Sequence, residues 1–179
     1  ETSMDERLIN RFDYDGDYGT VLNRFLMQAA AGHPLTVHGT GGQTRAFINI
    51  QDTVRCVALA IENPPAAGDQ VRIINQVAET HRVRDLAELV AELTGADIEY
   101  LDNPRSEAAE NDLAVSSKTL KGLGLEPILL RDELLTETVD IALRFIERAN
   151  LDTIPATALW PGRRETETPQ LEAPRFALR

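Results

Sequence analysis

The residues best able to do chemistry in this chain fall in one run, Val37-His-Gly-Thr-Gly-Gly-Gln-Thr-Arg45. Glycines at 39, 41 and 42 allow positive φ and let a ligand approach the main chain. Arg45 follows at the mouth of a strand, where a guanidinium fork matches a pair of anionic oxygens. Arg105 is a second candidate, because Pro104 holds Asn103 extended and so aims the arginine that follows. The same residues also fit a plain hairpin turn and a surface loop with solvated arginines, so spacing leaves both readings open. Charge bears on the choice. Lys plus Arg is 18 and Asp plus Glu is 29, a formal net charge of −11. A chain this acidic that binds a dianion such as a diphosphate must supply local cations to offset its own field. Two loop arginines and a helix amino end near Thr20 are such a device.

Other reactive residue types read more plainly. Cys56 lies within a helix as a small packing residue, and His33 and His81 occupy loop or cap positions. His38 abuts the glycine turn, which makes it a candidate ligand contact. Asp13, Asp15 and Asp17 alternate as in a calcium loop, but the remaining ligands are missing. Ser116-Ser117 reads as a helix cap rather than a nucleophile, with no histidine or acid spaced to support it. One cysteine and three scattered histidines give no zinc spacing, so no metal site is expected.

The elements that must position these residues alternate small helices with short strands, an α/β pattern. Thr20 caps a helix with the stripe Val21, Leu22, Phe25, Leu26 and Ala29, stopped by Gly32. Strands are expected at 35–38 and 44–50, with Gly39–Gly42 as the turn between them. Asp52 is expected to cap a helix with the stripe Val54, Val57, Ala58 and Ile61. A strand at 71–75 follows, then a helix capped by Thr80 and stopped by Gly95. Residues 97–101 read as a strand and 102–107 as an exposed loop. A small helix lies around 117–123, and a final helix, capped by Asp132, has the stripe Leu135, Val139, Ala142 and Ile146. The body spans residues 1–150, opening with a polar loop over 1–18. Residues 151–179, with prolines set among charges, read as an extended or disordered tail.

Composition excludes several function classes. The acidic balance argues against nucleic-acid binding. No apolar run approaches the roughly 20 residues of a membrane span. The absence of a signal-peptide pattern favours a cytoplasmic setting. No strand runs into a Gly-rich phosphate loop of the dinucleotide-binding kind.

The run Leu35-Thr-Val-His-Gly-Thr-Gly-Gly-Gln-Thr-Arg-Ala-Phe-Ile-Asn-Ile-Gln-Asp52 resembles the carboxyl half of the extended short-chain dehydrogenase/reductases, the NAD-dependent sugar-nucleotide epimerases and dehydratases. Gly19-Thr-Val-Leu-Asn-Arg-Phe25, Asn103-Pro-Arg-Ser-Glu-Ala108 and Leu123-Gly-Leu-Glu-Pro127 resemble its sulfosugar-forming branch. The resemblance covers roughly residues 1–160 and implies the substrate-binding part of such an enzyme. It gives Arg45 and Arg105 to the nucleotide diphosphate. Val37 and His38 would border the base, His38 standing where tyrosine is commoner. Gln43 would lie where the turn nears the nucleotide, and Thr20 and Val21 would face the sugar-phosphate. Asn23 replaces an asparagine that many relatives carry one turn earlier, and Glu107 falls beside the position expected on the ribose.

The implied partners are a UDP-sugar and a sulfite donor, with a homodimer for the full-length protein. The implied reaction converts UDP-glucose and sulfite to a UDP-sulfosugar, using NAD bound by a Rossmann half. The catalytic pattern of the family, Tyr-x-x-x-Lys, is absent: Tyr14, Tyr18 and Tyr100 have no lysine four positions on. No catalytic or cofactor-binding residue is therefore expected within the 179, the isolated chain is expected to be inactive, and the face that packs on a Rossmann half should stand exposed. A UDP-sugar 4-epimerase or dehydratase is the alternative of the same class. A non-catalytic interaction module is the alternative of another.

Overall fold

A computed structural model describes residues 5, 7, 14, 19–103 and 108–154, with the main chain alone at 133 and 134. The element order is α1 (Val21–Ala30), β1 (Leu35–His38), β2 (Gly42–Phe47), α2 (Ile50–Glu62), β3 (Glu79–Arg82), α3 (Val83–Thr94), β4 (Ile98–Leu101), β5 (Glu110–Asn111), α4 (Lys118–Gly122) and α5 (Leu135–Arg144). β1 and β4 pair in parallel, from Leu35↔Ile98 to His38↔Leu101. β2 is the centre of a second sheet, antiparallel to β3 and parallel to the short β5.

The main core lies where α1 and α3 cover β1 and α5 packs on those two helices. Phe25, Leu26, Leu35, Val37, Leu86, Val90 and Leu135 are buried there, and Ile154 joins them. Because strand side chains alternate, burying Leu35 and Val37 turns Thr36 and His38 to the other face. Thr20 caps α1 as expected, its Oγ1 accepting from Asn23 N at 3.4 Å. Gly95 ends α3 in the left-handed conformation at φ 73°.

Several expectations are corrected. The strand at 44–50 is shifted to Gly42–Phe47, because Asn49 rather than Asp52 caps α2; Asn49 Oδ1 accepts from Gln51 N at 2.7 Å. That frees Asp52, which is buried and turned inward. The stripe of α2 exists but faces outward: Ile50, Val54, Val57 and Ile61 are 48–74% exposed, while Asp52 and Cys56 are buried on the opposite side. Residues 71–75 form no strand and find no ladder partner among the described residues, so Val71 and Ile73 are 88% and 87% exposed. Thr80 does not cap α3. It lies in β3, paired with Ala46, and Arg82 precedes the helix. The turn Leu130–Leu134 breaks at Asp132 (ψ −164°) before α5 begins. Packing also continues past residue 150. Asn150 Oδ1 accepts from Asp152 N, a 3₁₀ turn covers Leu151–Thr153, and Ile154 is buried. Residues 155–179 of the expected tail lie outside the described residues.

Candidate functional site

A cavity of about 250 Å³ opens where α1, β1, β2 and α3 meet. Four elements supply its wall, each for a local reason. α1 brings Thr20, Val21 and Arg24, one face of its first turn. β1 brings Thr36 and His38, the residues that alternate with its core-facing pair. β2 brings Gln43 and Arg45, two apart and so on one face of the strand. Val83, at the start of α3, and Asn103, just past β4, close the rim.

The wall carries two guanidinium groups, from Arg24 and Arg45, and its lining has no carboxylate among the described residues. Arg45 is half-buried and donates from Nη1 to Thr44 O at 3.0 Å. The amino end of α1 adds partial positive charge from its first N–H groups. Guanidinium groups beside a helix amino end are groups that bind an anion of phosphate chemistry.

The glycine turn brings the wall together. Gly39 and Gly41 have φ 63° and 65°. A Cβ on Gly41 would stand 2.7 Å from Val37 Cγ1 and 2.9 Å from Arg84 Cβ, so the turn is both left-handed and crowded. Its position is tied by Gly39 N donating to Leu101 O at 2.8 Å and Thr40 Oγ1 donating to Ala109 O at 3.0 Å. Arg82 and Arg84 pair with Glu110 at 3.3 and 3.2 Å, holding β5 beside the turn. In α2, Asp52 accepts from Ile128 N at 2.7 Å and pairs with Arg55 at 2.9 Å.

Of the residues expected to touch a ligand, Thr20, Val21, His38, Gln43 and Arg45 share this cavity. Val37 does not line it: its side chain is fully buried in the core, because β1 turns that parity inward. Asn23 is outside the lining and lends its backbone N–H to the Thr20 cap. Arg105 and Glu107 lie outside the described residues, as do Asp13, Asp15 and Asp17; Asn103, two positions before Arg105, reaches the rim. His81 pairs with Glu79 at 2.7 Å away from the cavity, and His33 borders a separate hollow at the far end of α1.

Arg24 was not expected, yet its sequence position held a signal. A cation in the first turns of a helix opposes the helix dipole, so its placement there is itself a signal. Thr36 shares the cavity-facing parity of His38, alternating with the buried Leu35 and Val37. Cys56 is a buried thiol whose pKa is pushed up, first by burial and then by the charge of Asp52, which makes it inert rather than nucleophilic. Among the described residues no group of three or more His, Cys, Asp or Glu is placed to hold a metal ion. No described helix is long and apolar enough to cross a membrane.

Residues 7–75 match the NAD dependent epimerase/dehydratase family. The chloroplastic UDP-sulfoquinovose synthase of Spinacia oleracea is 47% identical over 165 residues, covering 89% of this chain and 34% of that protein. The UDP-sulfoquinovose synthase of Sulfolobus acidocaldarius is 42% identical over 132 residues, covering 71% of this chain and 33% of that protein. The chain thus spans about a third of the length of the curated relatives it matches. Its fold is that of part of a UDP-N-acetylglucosamine 4-epimerase from Methanobrevibacter ruminantium solved with UDP-N-acetylmuramic acid (TM-score 0.57, 20% identity, 78% of this chain and 43% of that one). It is also that of part of a UDP-glucose 4-epimerase from Thermotoga maritima solved with UDP-glucose (TM-score 0.55, 22% identity, 75% and 42%).

Proposed function

Because this chain belongs to the NAD dependent epimerase/dehydratase family, we propose that it is the nucleotide-sugar-binding part of an enzyme that forms UDP-sulfoquinovose from UDP-glucose and sulfite. The observation that carries the reading is the cavity, in which Arg24, Arg45 and the amino end of α1 face one space with His38 and Gln43. Arg24 and Arg45 hold the diphosphate, with Arg105 the further cation that the sequence resemblance gives to it. Gripping the nucleotide at a distance from the reacting carbons uses remote binding energy to position a flexible hexose.

NAD supplies hydride chemistry in this family, but the 179 residues do not fit that group. They hold no Gly-x-x-Gly-x-x-Gly run and no tyrosine with a lysine four positions on. Binding the cofactor and performing the chemistry therefore fall to residues beyond these, and the chain's own part is binding. The outward stripe of α2, together with Val71 and Ile73, is the face that seats the cofactor-binding half, an occupant suggested by relatives about three times as long. We propose a homodimer for the full-length protein, as the sequence resemblance implies.

Calorimetric titration of UDP-glucose into the full-length protein tests the clamp. Arg45→Ala and Arg24→Ala each remove a charge-assisted contact worth about 1.5–3 kcal/mol, so each should weaken binding roughly 10- to 100-fold. Unchanged affinity in both variants would reject the site. Sulfite-dependent consumption of UDP-glucose in the presence of NAD distinguishes sulfosugar synthesis from 4-epimerisation, which needs no sulfite.

A further inference from the structure

One wall of the cavity has its hydrogen-bonding direction set from behind. Gln28 lies in α1 and is only 2% exposed. Its Oε1 accepts from Thr36 N at 3.1 Å, and its Nε2 donates to Thr36 Oγ1 at 2.7 Å. A backbone N–H can only donate, so the amide oxygen must face it and the amide nitrogen must face the hydroxyl. The opposite orientation would set donor against donor. A hydroxyl that accepts from an amide in this way keeps its single proton for another direction. Thr36 Oγ1 donates to no partner among the described residues, and Thr36 lines the cavity together with Arg24 and Arg45.

We propose that Gln28 is a positioning residue that, by donating to the Thr36 hydroxyl, keeps that hydroxyl's proton available to an acceptor oxygen of a nucleotide in the cavity. Phosphoryl and carbonyl oxygens can take that proton. The buried position of Gln28 suits this role. An amide with both ends bonded does not rotate, so the side of the hydroxyl that accepts from Gln28 is fixed before any ligand arrives. The inference rests on reading the cavity as a nucleotide site.

The test is calorimetric titration of UDP, at pH 8, into the full-length protein and five variants. Thr36→Val keeps the shape and removes the proton, and should weaken UDP roughly 10-fold, whereas Thr36→Ser should stay within about twofold. Gln28→Glu places an acceptor against the hydroxyl, draws its proton away from the cavity, and should lose about as much as Thr36→Val. Gln28→Met leaves the hydroxyl free to turn and should stay within about threefold. A negative charge at position 28 would weaken an anion by itself, so the double variant Gln28→Glu/Thr36→Val decides the cause. It should bind as Thr36→Val does, within about twofold, because the hydroxyl can be lost only once. Melting curves confirm that each variant is folded. Wild-type affinity in Thr36→Val, or losses that multiply in the double variant, would overturn the donor role of the Thr36 hydroxyl. Failure of the wild-type protein to bind UDP would instead overturn the nucleotide site, and this inference with it.

Discussion

Replacing Gly41 by alanine tests how tightly the turn is built. Its φ of +65° and the atoms around it set two costs that add. An L-residue in the left-handed region loses about 1–2 kcal/mol. The new Cβ would also lie 2.7 Å from Val37 Cγ1 and 3.0 Å from Arg84 N. Neither neighbour retreats freely. Val37 is fully buried, and Arg84 N donates to Gly41 O at 3.0 Å. Overpacking of this kind costs about 1–3 kcal/mol, giving about 2–5 kcal/mol in all. Gly95 provides the control: its φ is +73° with nothing within 4 Å, so Gly95→Ala carries only the conformational cost. Urea unfolding of both variants beside the parent protein gives the difference, expected at about 1–3 kcal/mol in favour of Gly95→Ala. Because the turn sets Gln43 and Arg45, Gly41→Ala should weaken UDP binding as well, and Gly95→Ala should not. Equal stability of the two variants, within about 0.5 kcal/mol, would show that the crowding has no energetic weight.

Asp52→Ala removes a buried acceptor and leaves Ile128 N–H and Arg55 without their carboxylate; a loss of about 2–4 kcal/mol in urea unfolding is expected, and less for Asp52→Asn, whose amide oxygen can still accept. The raised pKa of Cys56 means that the folded state favours the neutral thiol, so this contribution is complete below the ordinary thiol range and is lost as pH rises through the folded value. Cys56→Ala should therefore flatten the alkaline fall in stability, and a thiol reagent at neutral pH should label native protein far more slowly than unfolded protein. The outward stripe of α2 predicts that the 179-residue chain on its own self-associates; Val54→Glu with Ile61→Lys should move its sedimentation toward the monomer. A monodisperse parent chain would count against the seat on α2.

Local rules were strong where local forces decide. Thr20 and Gly95 mark the ends of α1 and α3 because a cap or a left-handed stop depends on a few adjacent atoms. The glycine turn and Arg45 were legible for the same reason, as was the cavity-facing His38 beside them. What failed depended on distant partners. Asn49 and Asp52 are both good caps, and only the donor at Ile128 explains why Asp52 turns inward. Residues 71–75 have the composition of a strand but lack a described ladder to join. Gln28 looks like a surface residue on a helix until β1 brings Thr36 against it. Arg24 was hidden in an apolar stripe, although its placement against the helix dipole was a usable clue.

The pairings that frame the cavity all join chain before residue 63 to chain after residue 78: β1 with β4, and β2 with β3 and β5. The connection between them is largely exposed, with Ala78 buried and Ile74 packed beside Cys56. A protease nick at 64–70 would therefore leave two polypeptides with matching edges, and the anion hollow would outlast the cut. Produced separately, the two pieces should reassemble on mixing, and a nucleotide should tighten their union, since each piece alone holds only part of the wall.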